Sequence, residues 1–302
     1  MPGTALEVSE LLDDLKERLK PFKTRMFPQQ VLLELSETGL VGQGFSNGRV
    51  APVLINVPLP SLTIKEGVPI EVEPLADLIG DLLVRDGLID AYVMASLPQA
   101  AVEWRVIDWG EREVPADGVA ALRELAPDLG LPYGLKEAAM DLRSLASGGG
   151  KQLLATTRRE VVEGWIKVFH QAGTNLDRLA CPQTCRLSAL EGLLEEMEAG
   201  ALVVLLTMTE GRAQLMAIRD GVPLFEWPLP GKAGAQVEEV KRCVAFLRRE
   251  FGQEGRLELL LEGEMEGLEE LEMALGVAVQ RIQSEPYGSL VLQGLAIPEM
   301  GP

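Results

Sequence analysis

At 302 residues with 47% apolar content, the chain is long enough to bury a substantial core and to divide into two or more subdomains. Its formal charge of -18 excludes nucleic acid as the main partner, because neutralising phosphates needs clustered Lys and Arg. No apolar run nears the roughly 20 residues that cross a bilayer, and the start of the chain lacks a basic segment followed by an apolar one, so neither secretion nor membrane spanning is expected.

Thr4 to Glu7 has the form of a capping box, and Leu11, Leu12, Leu15 and Leu19 then recur at helical spacing up to Pro21. Residues 1–25 are therefore expected to hold an amphipathic helix. Its end is basic, with Lys16, Arg18, Lys20, Lys23 and Arg25. That charge suits the helix dipole, or a peripheral contact of residues 16–25 with anionic headgroups. Val31 to Pro60 (VLLELSETGLVGQGFSNGRVAPVLINVPLP) then reads as three strands joined by a polar turn and an Asn47-Gly48 turn. The same order returns at Ala201 to Pro230 (ALVVLLTMTEGRAQLMAIRDGVPLFEWPLP), with Asp220-Gly221 at the second turn. A β-meander repeated at wide separation predicts two related halves facing one another across a cleft.

Between the copies, Pro74 to Arg85 has a helical pattern, Ala91 to Leu97 an apolar strand pattern, and Val102 to Trp109 strand alternation. A helix is expected at 119–125, strands at 140–145 and 152–156, and a helix at 158–172. After them come a helix at 187–199, the second meander, a helix at 237–251, a strand at 257–261, a helix at 268–275 and a strand at 277–282. The tail from Pro286 shows no clear pattern. The class is α/β or α+β with antiparallel pieces.

Carboxylates concentrate late in the chain. Glu191, Glu195, Glu196 and Glu198 lack a nearby base, and eight glutamates between Glu254 and Glu272 face only Arg256. They are either solvated helix faces or an acidic docking surface. Three cysteines make no disulfide framework and fit a reducing cytoplasm. Cys181, Cys185 and Cys243 with His170, the one histidine, would total four zinc ligands, but structural sites use two tight pairs and this set has one, so buried thiols and no metal are expected. A single histidine also removes most acid-base and triad schemes, and no catalytic residue is assigned.

Several phrases, in order, resemble the PilM family of actin-like type IV pilus assembly proteins and the related cytoplasmic domain of the type II secretion protein GspL. They are Ala91 to Pro98 (AYVMASLP), Leu131-Pro-Tyr133 with the strand after it, and Leu153 to Leu179 (LLATTRREVVEGWIKVFHQAGTNLDRL), within a likeness spread over roughly residues 30–285. The resemblance implies an actin-like (ribonuclease H-like) two-lobed α/β fold, with the strand after the Ala172-Gly173 turn re-entering the sheet. On that plan residues 26–186 are the first half, with an inserted α+β subdomain at about 61–157, and 187–302 are the second.

In that family a nucleotide lies between the lobes, held by Asp-Ile-Gly turns and a glycine-rich adenosine loop. Phosphates need backbone N–H groups in tight turns where glycine permits close approach, and Mg²⁺ needs carboxylates at strand ends. The positions matching the first turn are Glu34, Leu35 and Ser36, followed by Glu37 and Thr38, so the carboxylate remains and the glycine is gone. The second falls on Thr207, Met208 and Thr209, ahead of Gly211, and the adenosine loop on Glu262, Gly263, Glu264 and Met265, where Glu266 adds a third nearby acid. Like charges there would repel a triphosphate. Ser147 to Gly150 offers no rescue, because no Gly-Lys-Ser/Thr follows it and it reads as a hairpin turn.

These losses predict a pseudo-ATPase, with Glu34, Ser36, Thr38, Thr209, Gly211 and Gly263 marking a vestigial cleft and no cofactor. The resemblance implies a cytoplasmic scaffold peripheral to the inner membrane. It would bind the N-terminal cytoplasmic peptide of a PilN-like bitopic membrane protein in an apolar groove beside a strand edge. Candidates are Val102, Trp104, Val106, Met140 and Leu142, for which ordinary core packing is the competing reading. Two other readings stand beside this one. In the first, an active ATPase uses Glu34 for Mg²⁺ and the turns Ser36 to Gly39 and Thr209 to Gly211 for phosphates; in the second, the chain is a filament-forming actin relative.

Overall fold

The computed structural model describes residues 29–45, 52–110, 113–125, 129–145, 150–209, 212–251 and 256–297. The expected N-terminal helix and its basic end, the Asn47-Gly48 turn, Ser147 to Gly149 and Gly211 lie outside the described residues.

The duplication is present strand for strand. In the first half, β1 (Gln30–Leu35), β2 (Gly39–Phe45) and β3 (Val53–Pro58) form an antiparallel meander. Helix α1 (Val72–Arg85) then leads to β6 (Tyr92–Ser96), parallel to β1, and α3 (Arg159–Gln171) leads to β10 (Asn175–Ala180), parallel to β6. In the second half, β11 (Leu202–Thr209), β12 (Arg212–Arg219) and β13 (Val222–Pro228) repeat the meander, α5 (Ala233–Phe251) leads to β14 (Leu257–Gly263), and α6 (Leu268–Leu275) leads to β15 (Val279–Arg281). The sheet orders correspond: β3-β2-β1-β6-β10 and β13-β12-β11-β14-β15. At the second hairpin, Asp220 (φ 50°) and Gly221 (φ 70°) both take positive φ, as a two-residue turn between twisted strands requires.

A further helix closes each half: α4 (Pro182–Glu195) after β10 and α7 (Leu290–Ala296) after β15. Helix α4 starts five residues before the expected Leu187, because Pro182 is accommodated in the first turn, where its missing N–H costs nothing. The division of the halves at 186/187 therefore falls inside this helix.

The central strands are buried on both faces, which is why they read as continuous apolar runs. Val31, Leu33 and Leu35 of β1 face a core with α1 and α3 that includes Leu75, Ile79, Trp165 and Phe169, whereas Leu32 points the other way, into a cluster with Val291, Leu292 and Leu295 of α7. Strand β11 does the same: Val204 and Leu206 pack with Val240 and Leu247 of α5, and Val203 and Leu205 pack with Leu187 and Leu190 of α4. Each lobe thus has one sheet face covered by the final helix of the other half. Where the two helices cross, Gly294 leaves no room for a side chain, since a Cβ there would lie 1.9 Å from the Cys185 carbonyl oxygen.

Between β6 and α3 the chain inserts β7 (Glu103–Asp108), α2 (Gly118–Leu125), β8 (Ala138–Ser144) and β9 (Lys151–Arg158), with strand order β7-β9-β8. The insert is narrower than the expected 61–157, because α1 and β6 belong to the first lobe and the Ala91 to Leu97 run is an inner strand of its sheet. The entry and exit of the insert are tied together, Thr157 Oγ1 donating to the Ala101 carbonyl at 2.6 Å. A short hairpin, β4 (Ile64–Lys65) with β5 (Val68–Pro69), precedes α1 and is held by Trp165 Nε1 donating to the Gly67 carbonyl at 2.9 Å.

A polar network joins the three parts. Arg186 of α4, with a fully buried side chain, donates to Glu226 of β13 at 3.3 Å and to Gln99, beside the insert, at 2.8 Å. Glu226 also accepts from Gln183 at 3.1 Å and from Trp104 Nε1 at 3.3 Å. Removing one member of a buried pair leaves the other charge without compensation. Arg186→Met is expected to lower the unfolding free energy by about 3–5 kcal/mol, read as a lower urea midpoint at unchanged m-value.

Candidate functional site

The two meanders bring the ends of β1 and β11 to face one another, and a cavity of about 220 Å³ lies between them. Glu34, Ser36, Thr38, Val41 and Asn56 line it from the first lobe, and Thr207, Thr209 and Glu262 from the second. Gly288 and Ser289, just before α7, complete the lining. Sites for drug-sized ligands run from about 300 to 1,000 Å³, and this cavity lies below that range.

The first turn is closed on itself by Ser36. Its hydroxyl donates to the Gly39 carbonyl at 2.8 Å and accepts from the Gly39 N–H at 2.8 Å and the Thr38 N–H at 3.4 Å. Two amides of the turn, those of Thr38 and Gly39, are thus taken up by its own side chain.

The two cleft carboxylates are engaged from the segment that enters α7. Glu34 accepts from Ser289 Oγ at 2.8 Å. Glu262, 3% exposed, accepts from Thr207 Oγ1 at 3.0 Å and from the Leu290 N–H at 2.7 Å. Ser289 Oγ also accepts from the Leu292 N–H at 3.1 Å, capping the helix that it precedes. The far end of α7 is held by Arg178 of β10, whose guanidinium donates to the Leu295 carbonyl and, at 3.2 Å, to that of Ile297.

The structure brings Glu34, Ser36, Thr38 and Thr209 together in the lining of one cavity. Gly263 lies outside the lining; it takes φ 87°, and a Cβ there would lie 1.9 Å from the Met208 carbonyl oxygen, so packing of β11 on β14 demands the glycine. The expected crowding of three acids reduces to one, because Glu264 and Glu266 are exposed and only Glu262 turns inward. Ser289 and Leu290 carry no motif. The signal available for them is the duplication itself, which calls for a second copy of α4 in the tail.

The five candidate partner residues do not form one surface. Val102 is buried in the first lobe's core, Trp104 and Val106 pack with Leu153, and Met140 and Leu142 lie on the other face of the insert sheet with Leu154 and Trp109. Successive residues of a strand point to opposite faces and cross-strand partners share one, so which residues of β7 and β8 lie together is invisible before the register is known. A groove of about 350 Å³ opens instead between the insert and α4, floored by Leu145, Leu153, Leu187, Leu194, Met197 and Val203. Glu191, Glu195 and Glu198 rim it, and among the described residues their carboxylates have no ion pair or hydrogen bond.

The four conceivable zinc ligands are dispersed. His170 is exposed on α3, Cys243 packs in the second lobe's core, and Cys181 and Cys185 are buried at the start of α4. Among the described residues no cluster of three or more metal-ligating side chains occurs, and no helix is long and apolar enough to cross a membrane.

No family model matches the chain, and no curated protein matches it. Among solved structures, it is similar to the one described as the PilM-PilN type IV pilus biogenesis complex, with a TM-score of 0.66 at 21% identity over 84% of this chain and 88% of that one. A Bacteroides thetaiotaomicron protein of actin-like ATPase fold and unknown function gives 0.53 at 10% identity over 90% and 97% of the two chains. The cytoplasmic domain of EpsL, an inner membrane component of the type II secretion system of Vibrio cholerae, gives 0.49 at 8% identity over 88% and 92%. The fold is the two-lobed actin-like fold that the resemblance implies, and its paired sheets are the two halves that the repeated meander predicts.

Burial pushes the Cys181 thiol up to about 11 and the Cys185 thiol up to about 12, from an ordinary 9.0. Both are expected to resist iodoacetamide in the folded chain at about pH 8 and to react once urea unfolds it. Above pH 9.0 the unfolded chain releases protons that the folded chain keeps, so stability falls as pH rises from there toward 11 to 12. Urea midpoints at about pH 8 and pH 10.5 check this sign.

Proposed function

We propose that this chain is a scaffold of a type IV pilus or related secretion platform that works without ATP turnover. On this reading it seats the N-terminal cytoplasmic peptide of a PilN-like bitopic membrane protein in the groove between the insert and α4. The observation that carries the nucleotide-free part is the first turn, where the Ser36 hydroxyl engages the amides of Thr38 and Gly39 that would otherwise face a phosphate. Likeness of fold to a protein solved in complex with PilN supports the choice of partner.

The groove supports the mode of binding. Its leucine and methionine floor suits the apolar side chains of an extended peptide, and its glutamate rim suits flanking Lys or Arg, which membrane proteins carry on the cytoplasmic side of their spans. Work at the inner face of a membrane, with Lys16 to Arg25 against anionic headgroups, belongs to the same proposal.

Isothermal titration tests both parts. MgATP at up to about 1 mM is expected to give no saturable heat, whereas saturable binding lost in Glu34→Ala would establish the ATPase reading. An N-terminal cytoplasmic peptide from a bitopic protein of the same operon is expected to bind with a Kd of about 1 μM, weakened at least ~10-fold by Leu194→Glu. Failure of every such peptide would remove the scaffold reading.

A further inference from the structure

The segment 284–297 leaves the second lobe, crosses the cleft and ends packed on the first. Its turn at Ser289 and Leu290 meets a carboxylate from each side: the Ser289 hydroxyl donates to Glu34 of the first lobe at 2.8 Å, and the Leu290 N–H donates to Glu262 of the second at 2.7 Å. Both acids stand at strand ends where an actin-like fold would otherwise present them to a ligand. Glu262, at 3% exposure, would be a costly charge to bury without these donors and that of Thr207. Behind the turn the segment is anchored along its length. Leu292 and Leu295 pack against Leu32 and Met94, Gly294 sits on the Cys185 backbone, and Arg178 holds the final carbonyls.

We infer that this segment is an intramolecular latch: its Ser289-Leu290 turn takes one acid from each lobe and holds the cleft shut with no ligand present. The latch makes lobe closure a property of the chain itself. Displacing the segment takes one donor from each acid at once and removes the contacts that tie the two sides of the cleft together. Any partner that draws out the C-terminal helix would open the cleft. The inference shares the cleft with the nucleotide-free reading but not its claim about ATP. Measurements without nucleotide decide the latch, and the titration above decides the nucleotide.

Two variants of the full chain test it, read by amide hydrogen exchange and small-angle X-ray scattering. Gly294→Val forces a side chain into the Cys185 backbone and expels α7. The expected result is exchange at Leu290 and Leu292 at least tenfold faster and a larger radius of gyration, with the far-UV circular dichroism of the sheets retained. Release of α7 with an unchanged radius would overturn the latch. Should Gly294→Val fail to fold, Ser289→Ala decides, because it deletes one oxygen and leaves the apolar face of α7 intact. Faster exchange at Leu290 together with an increased radius upholds the proposal, and no change in the radius sinks it.

Discussion

Each sheet is buried on one face by a helix that the other half of the chain supplies, and this exchange is the constraint on which the molecule rests. Helix α4 continues from the first half onto Val203 and Leu205 of the second, and α7 returns from the second onto Leu32 and Met94 of the first. Neither lobe can complete its apolar burial alone, so the two are committed to one another before any ligand arrives. The cavity of about 220 Å³, the groove beside α4 and the turn at Ser289 all follow from where those helices must cross.

Polar groups then fix the arrangement that apolar burial merely favours. Hydrophobic contacts are non-directional, and a helix could slide along such a surface at small cost. Arg186 cannot, because its guanidinium is fully buried and hydrogen-bonded to Glu226 and Gln99 from two other parts of the chain. A buried ion pair is weak evidence for stability and better suited to specifying one arrangement. The carboxylates of Glu34 and Glu262 play a similar part at the cleft, one from each lobe, each answered by a donor on a single short segment.

Much of this architecture was legible in the sequence because the duplication writes it twice. The paired meanders, the Asp220-Gly221 turn and the apolar runs of the inner strands are local signals, and each corresponds to an observed element. The site was half legible. Glu34, Ser36, Thr38 and Thr209 follow from matching the family's turns onto the two repeats, but the Ser289 donor does not, since it lies 255 residues from Glu34. Helix α7 is only seven residues of almost uniform apolarity, too short for a 3.6-residue period to show. The partner candidates divide between faces for a different reason: alternation within one strand says that two faces exist, not which residues of a neighbouring strand share them. Gly263 resembles the remnant of a ligand loop, and its steric conflict with Met208 accounts for it without any ligand.

The insert enters and leaves the first lobe at nearly one point, Thr157 being hydrogen-bonded to Ala101. A module whose two stalks already touch adds length to one crossover without stretching the strands on either side, and the entropy of closing such a loop grows only slowly with its length. This part of the molecule can accordingly be enlarged, trimmed or swapped during evolution while the paired sheets stay as they are. The wall of the groove that it builds is thus free to diverge independently of the two sheets.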